Sequence, residues 1–172
     1  MPESLKKVIR EVPDFPKKGI SFKDITTMLQ DPQAFAHCID LLVEQYKDKG
    51  LTKIVAIESR GFIFGAPLAK ELGVALTLLR KPGKLPAAVY KESYALEYGE
   101  DTLEIHQDAI QKGDRVLLID DLLATGGTAA AAARLVDRIG GDIVEFAFII
   151  ELEFLKGRDK LGGYPSFSLV KY

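Results

Sequence analysis

The chain has 172 residues, 47% of them hydrophobic and 28% charged, with a formal net charge of −2 and one cysteine. That length fits a single domain, 1–172, whose core buries roughly 70% of the unfolded surface. The composition leaves no footprint for nucleic-acid binding, no apolar run approaches the roughly 20 residues of a membrane helix, and one cysteine makes neither an internal disulfide nor a metal cluster.

The first residues, MPESLKKVIREV, interleave charges with apolar side chains and do not read as a secretory leader, so cytoplasm is the expected compartment. Segment 12–26, VPDFPKKGISFKDIT, is rich in Pro, Gly and Phe and fits no regular period. A helix is predicted over 32–49, with Asp31 as N-cap, Pro32 at the first helical position and Gly50 as the stop. Phe35, Ile39, Leu42 and Tyr46 share one face of it, and Cys38 reads as a packing residue. KIVAIE (53–58) has the continuous apolar pattern of a strand buried on both faces. RGFIFGAPLAKELG predicts the next helix, with Pro67 in its first turns, and VALTLL (74–79) a second buried strand. The stretch from Lys81 to Gly113 breaks this rhythm. Its middle predicts an antiparallel excursion turning at Gly99–Glu100, and such insertions are commonly functional loops or lids. RVLLID (115–120), a helix from Gly126 to Ile139 stopped by Gly140–Gly141, IVEFAFIIEL (143–152) and a closing edge strand FSLVKY complete the alternation. The expected fold class is α/β, a mostly parallel twisted sheet flanked by helices. His37 and His106 have no partner motif and read as structural.

LLIDDLLATGGTAAAAA (117–133) carries the clearest chemistry. A strand, a Gly turn and a helix start make an anion site: the backbone N–H groups of 124–128 point inward and the helix dipole adds positive charge. Ala124, Thr125, Gly126, Gly127 and Thr128 would form this cradle, with hydroxyls from the threonines and positive φ at the glycines. The Lys of a triphosphate-binding P-loop and the G-x-G-x-x-G of a dinucleotide site are both missing, so a single phosphate is expected. Asp120 and Asp121 would repel that phosphate unless the ligand also offers donors. The paired hydroxyls of a ribose do so, and carboxylates accept from them.

VLLIDDLLATGGT is similar to the signature with which the purine/pyrimidine phosphoribosyltransferase family binds phosphoribosyl pyrophosphate (PRPP). DFPKKGISFKDIT, ESRGFIFG, RKPGKLP and YALEYG follow the order seen in its adenine-using members, from about Val12 to the C-terminus. The resemblance implies a type I phosphoribosyltransferase fold, with an N-terminal base-binding hood (about 1–30) and a mobile antiparallel lid. It implies adenine plus PRPP giving AMP plus pyrophosphate, with Mg²⁺ held mainly through PRPP and pyrophosphate, in a homodimer. Asp120 and Asp121 would clamp the ribose and act catalytically beside Glu97, a lid acid that manages the purine proton. Ser59, Arg60, Arg80, Lys81 and Lys84 would hold pyrophosphate, with a cis peptide at Glu58–Ser59. Phe22 would stack on the adenine, the backbone groups of Ser21 and Lys23 would read its edge, and Leu152 would cover its other face. Two other classes stay open at this point: a PRPP-sensing regulator without catalysis, and an enzyme of the same superfamily acting on a 6-oxopurine or orotate.

Overall fold

The computed structural model describes residues 3–95 and 99–172. The chain opens with a one-turn helix α1 (Glu3–Lys6) and a short antiparallel pair, β1 (Arg10–Val12) and β2 (Phe22–Asp24). Helix α2 (Thr26–Gln30) leads into α3 (Pro32–Tyr46). The Asp31 side chain accepts from the backbone N–H groups of Gln33 and Ala34, satisfying two donors of the first turn as the sequence leads one to expect. Cys38 on this helix is fully buried, and burial pushes its thiol pKa to about 12.

Strand β3 (Lys53–Ile57), helix α4 (Gly61–Leu72) and strand β4 (Ala75–Leu79) form the first β–α–β unit, and β3 pairs with β4 in parallel. Pro67 sits in the middle of α4 rather than in its first turns. Strand β4 is an edge strand, with Ala75 and Leu76 exposed, so the expectation of a strand buried on both faces fails there. An apolar run marks a strand, but only the sheet order decides which strand lies outermost. The insertion is a hairpin of β5 (Val89–Ala95) and β6 (Glu100–His106). Ala95 faces Glu100, which places Glu100 in the strand and not in the turn.

Strand β7 (Arg115–Leu123), helix α5 (Gly127–Ile139), strand β8 (Asp142–Glu151) and strand β9 (Ser166–Lys171) complete the sheet, with short 3-10 segments at Glu153–Leu155 and Gly157–Lys160. The five-stranded sheet runs β4-β3-β7-β8-β9, all parallel, with β9 at the edge as its sequence suggests. Side chains of β7 alternate between two cores. Leu117 and Ile119 pack with Ile54, Leu42, Phe64 and Leu68 on the α3–α4 side. Val116 and Leu118 pack with Val55, Ile57, Leu135 and Val136 on the α5 side. This two-sided burial is the physical reason that β3 and β7 read as unbroken apolar runs. No helix among the described residues is long and apolar enough to cross a membrane.

Candidate active site

Because the five strands are parallel, the polar groups at their C-terminal ends gather at one end of the sheet. Strand β7 runs beyond the expected end at Asp120, pairing with β8 as far as Leu123 opposite Glu151. Asp120 and Asp121 are therefore consecutive strand residues whose side chains leave on opposite faces. Asp121 is buried, and its Oδ2 accepts from Arg60 Nε at 2.5 Å. Asp120 Oδ1 accepts from the Asp121 backbone N–H at 2.8 Å. Burial, reinforced by the negative charge of Asp121, holds the Asp120 carboxyl pKa well above the usual carboxylate range.

A polar cleft of about 380 Å³ opens above these carboxylates, lined by Glu58, Ser59, Arg60, Lys81, Asp120, Asp121 and Thr128. The Glu58–Ser59 peptide is cis, as the resemblance implies. A smaller recess of about 70 Å³ shares Asp120 and Thr128 with the cleft and is otherwise lined by residues 122–127 and Ala129. Gly126 caps α5 with φ +80°, the left-handed region that glycine tolerates, whereas Gly127 is already the first helical residue. The recess is thus the strand–turn–helix cradle that the sequence leads one to expect, at the positive end of α5.

The cationic turn divides. Lys81 lines the cleft, and its Nζ bonds Tyr94 Oη at 3.1 Å and the Asp101 carboxylate, both on the hairpin. Arg80 is turned to other work. Its guanidinium forks onto Glu58 at 3.1 and 3.2 Å and donates to the Lys84 carbonyl, while Glu58 also accepts from the Lys81 N–H at 2.8 Å. The bonds from Arg80 pull the Glu58 pKa below its ordinary value. Lys84 is exposed on the turn and is not among the residues lining the cleft. Glu97 lies outside the described residues.

Phe22 forms a second cleft of about 310 Å³ with Val12, Phe15 and Asp24. The rings of Phe15 and Phe22 meet edge to face, 5.2 Å between centroids. Phe15, half exposed, was not singled out from the sequence; its signal there is only an aromatic beside a proline in an irregular segment. Asp24 accepts from Arg10 and from the N–H and hydroxyl of Thr26, with Arg10 the leading cause of a pKa held at about 2. The Lys23 ammonium is drawn away to Glu11, at 2.8 Å, and over the Tyr172 ring, 4.3 Å from its centroid. Ser21 Oγ faces the same pair. What these two residues leave for a ligand is main chain: β1 and β2 form a sheet of only two strands, so the outer edge of β2 is unpaired. Leu152 sits just beyond β8, its N–H on the Leu123 carbonyl, and packs on the α3–α4 core; it is not among the residues lining the aromatic cleft. His106 accepts from the Ala87 N–H at 3.3 Å, a bond that ties the hairpin to the segment before it.

This geometry has close relatives. Residues 24–162 match the model of the phosphoribosyl transferase domain. An adenine phosphoribosyltransferase of Geotalea daltonii is 57% identical over 170 residues, covering 99% of both chains. The crystal structure of adenine phosphoribosyltransferase from Thermoanaerobacter pseudethanolicus superposes with a TM-score of 0.96 at 53% identity over 100% of both chains. That from Saccharomyces cerevisiae, complexed with an imino-altritol bisphosphate and adenine, gives a TM-score of 0.92 at 42% identity, covering 98% of this chain and 97% of that one. With sequence and fold in agreement along its whole length, the chain belongs to the adenine phosphoribosyltransferases of the phosphoribosyltransferase family.

Proposed function

We propose that the chain transfers the 5-phosphoribosyl group of PRPP to adenine, giving AMP and pyrophosphate, a purine salvage step carried out by a cytoplasmic homodimer. The observation that carries this reading is the adjacency of a small strand–turn–helix recess to a cleft lined by carboxylates and by the cations Arg60 and Lys81, with Asp120 and Thr128 common to both. The 5-phosphate sits on residues 124–128, and the ribose hydroxyls lie over Asp120 and Asp121. Pyrophosphate occupies the wall made by Ser59, Arg60 and Lys81; Arg80 and Lys84 support it from the turn. Adenine enters between Phe15 and Phe22, with Leu152 toward its far side, and the open edge of β2 reads it at Ser21 and Lys23. A fixed backbone donor–acceptor pair suits the N1 acceptor and 6-amino donor of adenine. A 6-oxopurine reverses both, leaving groups unpaired, a mismatch that can discriminate by about 10⁴-fold.

In the reaction the C1–oxygen bond to pyrophosphate breaks, with the electron pair leaving on pyrophosphate. The purine N9 forms the new bond to C1 and loses its proton. Arg60 and Lys81 neutralise the leaving group. The aspartates stabilise positive charge developing on the sugar, and Glu97 is assigned the purine proton from the family resemblance. Among the described residues no cluster of three His, Cys, Asp or Glu side chains could hold a metal by itself. The donor set therefore fits Mg²⁺ held mainly by substrate oxygens, with Asp120 and Asp121 as the protein acceptors nearest the ribose. When bound, the ion would neutralise charge on the leaving pyrophosphate.

The test is pyrophosphate release from PRPP and Mg²⁺ with adenine, hypoxanthine, guanine, xanthine or orotate added singly. Release with adenine alone, matched by AMP, is the expected result. Preference for another base would overturn the reading of the base site, and PRPP binding with no turnover on any base would favour a sensor.

A further inference from the structure

The segment after β8 does more than connect two strands. Gly157 is buried, and its backbone is wedged against the Gly turn of the phosphate recess. A Cβ on Gly126 would lie 2.3 Å from the Gly157 carbonyl oxygen; a Cβ on Gly157 would lie 2.3 Å from the Ala124 carbonyl oxygen and 3.1 Å from Leu123 Cγ. The nearest atom in each case is a main-chain carbonyl oxygen. Two main chains are in direct contact, and each fixes how far the other can move.

A buried carboxylate gripped by a partly exposed guanidinium holds the outer of the two. Glu151, 3% exposed at the end of β8, accepts both arms of the Arg158 fork, Nε at 2.5 Å and an Nη at 2.6 Å. Arg158 also donates to the Ser166 carbonyl at 2.9 Å, and Ser168 Oγ–H donates to Glu151 at 2.7 Å. Residue 158 is therefore bolted to β8 and β9 together, one residue after the glycine that touches the loop. The approach to this bolt is also set, because Lys156 lies in the left-handed region at φ +52°.

We propose that Glu151, Gly157 and Arg158 are positioning residues for PRPP: the Arg158 fork on the buried Glu151 carboxylate sets the depth of the Gly157 backbone, which in turn sets the shape of the Ala124–Gly126 turn that receives the 5-phosphate. This rests on the reading of that turn as the 5-phosphate site. The three residues touch no substrate. Their effect passes through main-chain contact with the Ala124–Gly126 turn, whereas Val12, Phe15, Phe22 and Asp24 of the aromatic cleft come from a different part of the chain.

The experiment compares Glu151→Gln, Arg158→Lys and Gly157→Ala with Thr128→Ala inside the turn and Lys160→Ala, an exposed residue of the same segment. KM for PRPP, KM for adenine, kcat, inhibition by ribose 5-phosphate and the melting temperature of the unliganded protein are measured for each. The expected result is a rise of about tenfold or more in KM for PRPP and in the inhibition constant of ribose 5-phosphate for the three positioning variants. Displacements of an ångström or less suffice for such losses. KM for adenine should stay within about twofold, and Lys160→Ala should match the parent. Arg158→Lys keeps the charge and loses the fork, so it reports on geometry even where Glu151→Gln folds poorly. Equal increases in both KM values, or losses that track the melting temperature alone, would reduce these residues to general stability and overturn the proposal. Unchanged ribose 5-phosphate inhibition in the three variants would overturn it too. A Thr128→Ala variant that binds ribose 5-phosphate normally would instead overturn the reading of the turn itself.

Discussion

Asp120 and Asp121 are neighbours in sequence and opposites in environment. Asp121 has a guanidinium partner, while Asp120 accepts one backbone N–H and is half-buried beside a like charge. An Asp whose folded pKa lies above its unfolded value binds more protons in the native state, so its contribution to stability falls as pH rises from about 4 through that raised value. Asp120→Asn removes the ionisation. Its melting temperature should exceed the parent's by roughly 2–4 °C at pH 8 and converge with it near pH 4, while kcat/KM for PRPP falls by about 10²-fold or more. Calorimetry across pH beside steady-state kinetics checks both; a lower melting temperature at pH 8 would reject this account. Glu58 has the opposite sign. Its lowered pKa contributes stability above the unfolded value and loses it on acidification. Phe15 gives the other prediction at this scale. Base–aromatic stacking is worth about 1–3 kcal/mol, so Phe15→Ala should raise KM for adenine roughly tenfold and leave KM for PRPP within about twofold. An unchanged KM for adenine would remove Phe15 from the base site.

Among the elements, the hairpin β5–β6 has a firm base and a pinned flank. Leu103 and Ile105 lie in the α5-side core, and Glu92 pairs with Arg134 on α5. Nearer the turn, Lys81 is held by Asp101 and Tyr94. The pair is about one-third exposed, so it contributes at most about 1 kcal/mol. Asp101→Asn should accordingly speed limited proteolysis of the hairpin by about two- to fivefold, read on gels against the parent. Protection unchanged within error would show that the core contacts alone hold the lid down. The antiparallel excursion was legible in the alternation of 89–106; the pinning of Lys81 was not, because it depends on a residue 20 positions away in the chain. The same holds for Arg80. A cation in RKPGKLP looks free to meet pyrophosphate until Glu58, brought beside it by the β3–β4 pairing, takes its fork.

For the whole molecule, helix α4 and the edge strand β4 present exposed Ile63 and Leu76, and the outer edge of β4 is open. Apolar surface of this kind suits an interface between copies. The expected outcome in sedimentation is a species near twice the 18.9 kDa chain mass; a concentration-independent monomer would sink the dimer. Local patterns in the sequence determined the three long helices, the parallel strands, the strand–turn–helix segment and the aspartate doublet, because each depends on residues within a few positions of one another. Tertiary structure alone decided that β4 lies at an edge, that Arg80 faces Glu58, that Phe15 joins Phe22, and that the Gly157 backbone meets the Ala124–Gly126 turn. Those facts come from sheet order and from main chains touching across about 30 residues, distances over which side-chain periodicity carries no information.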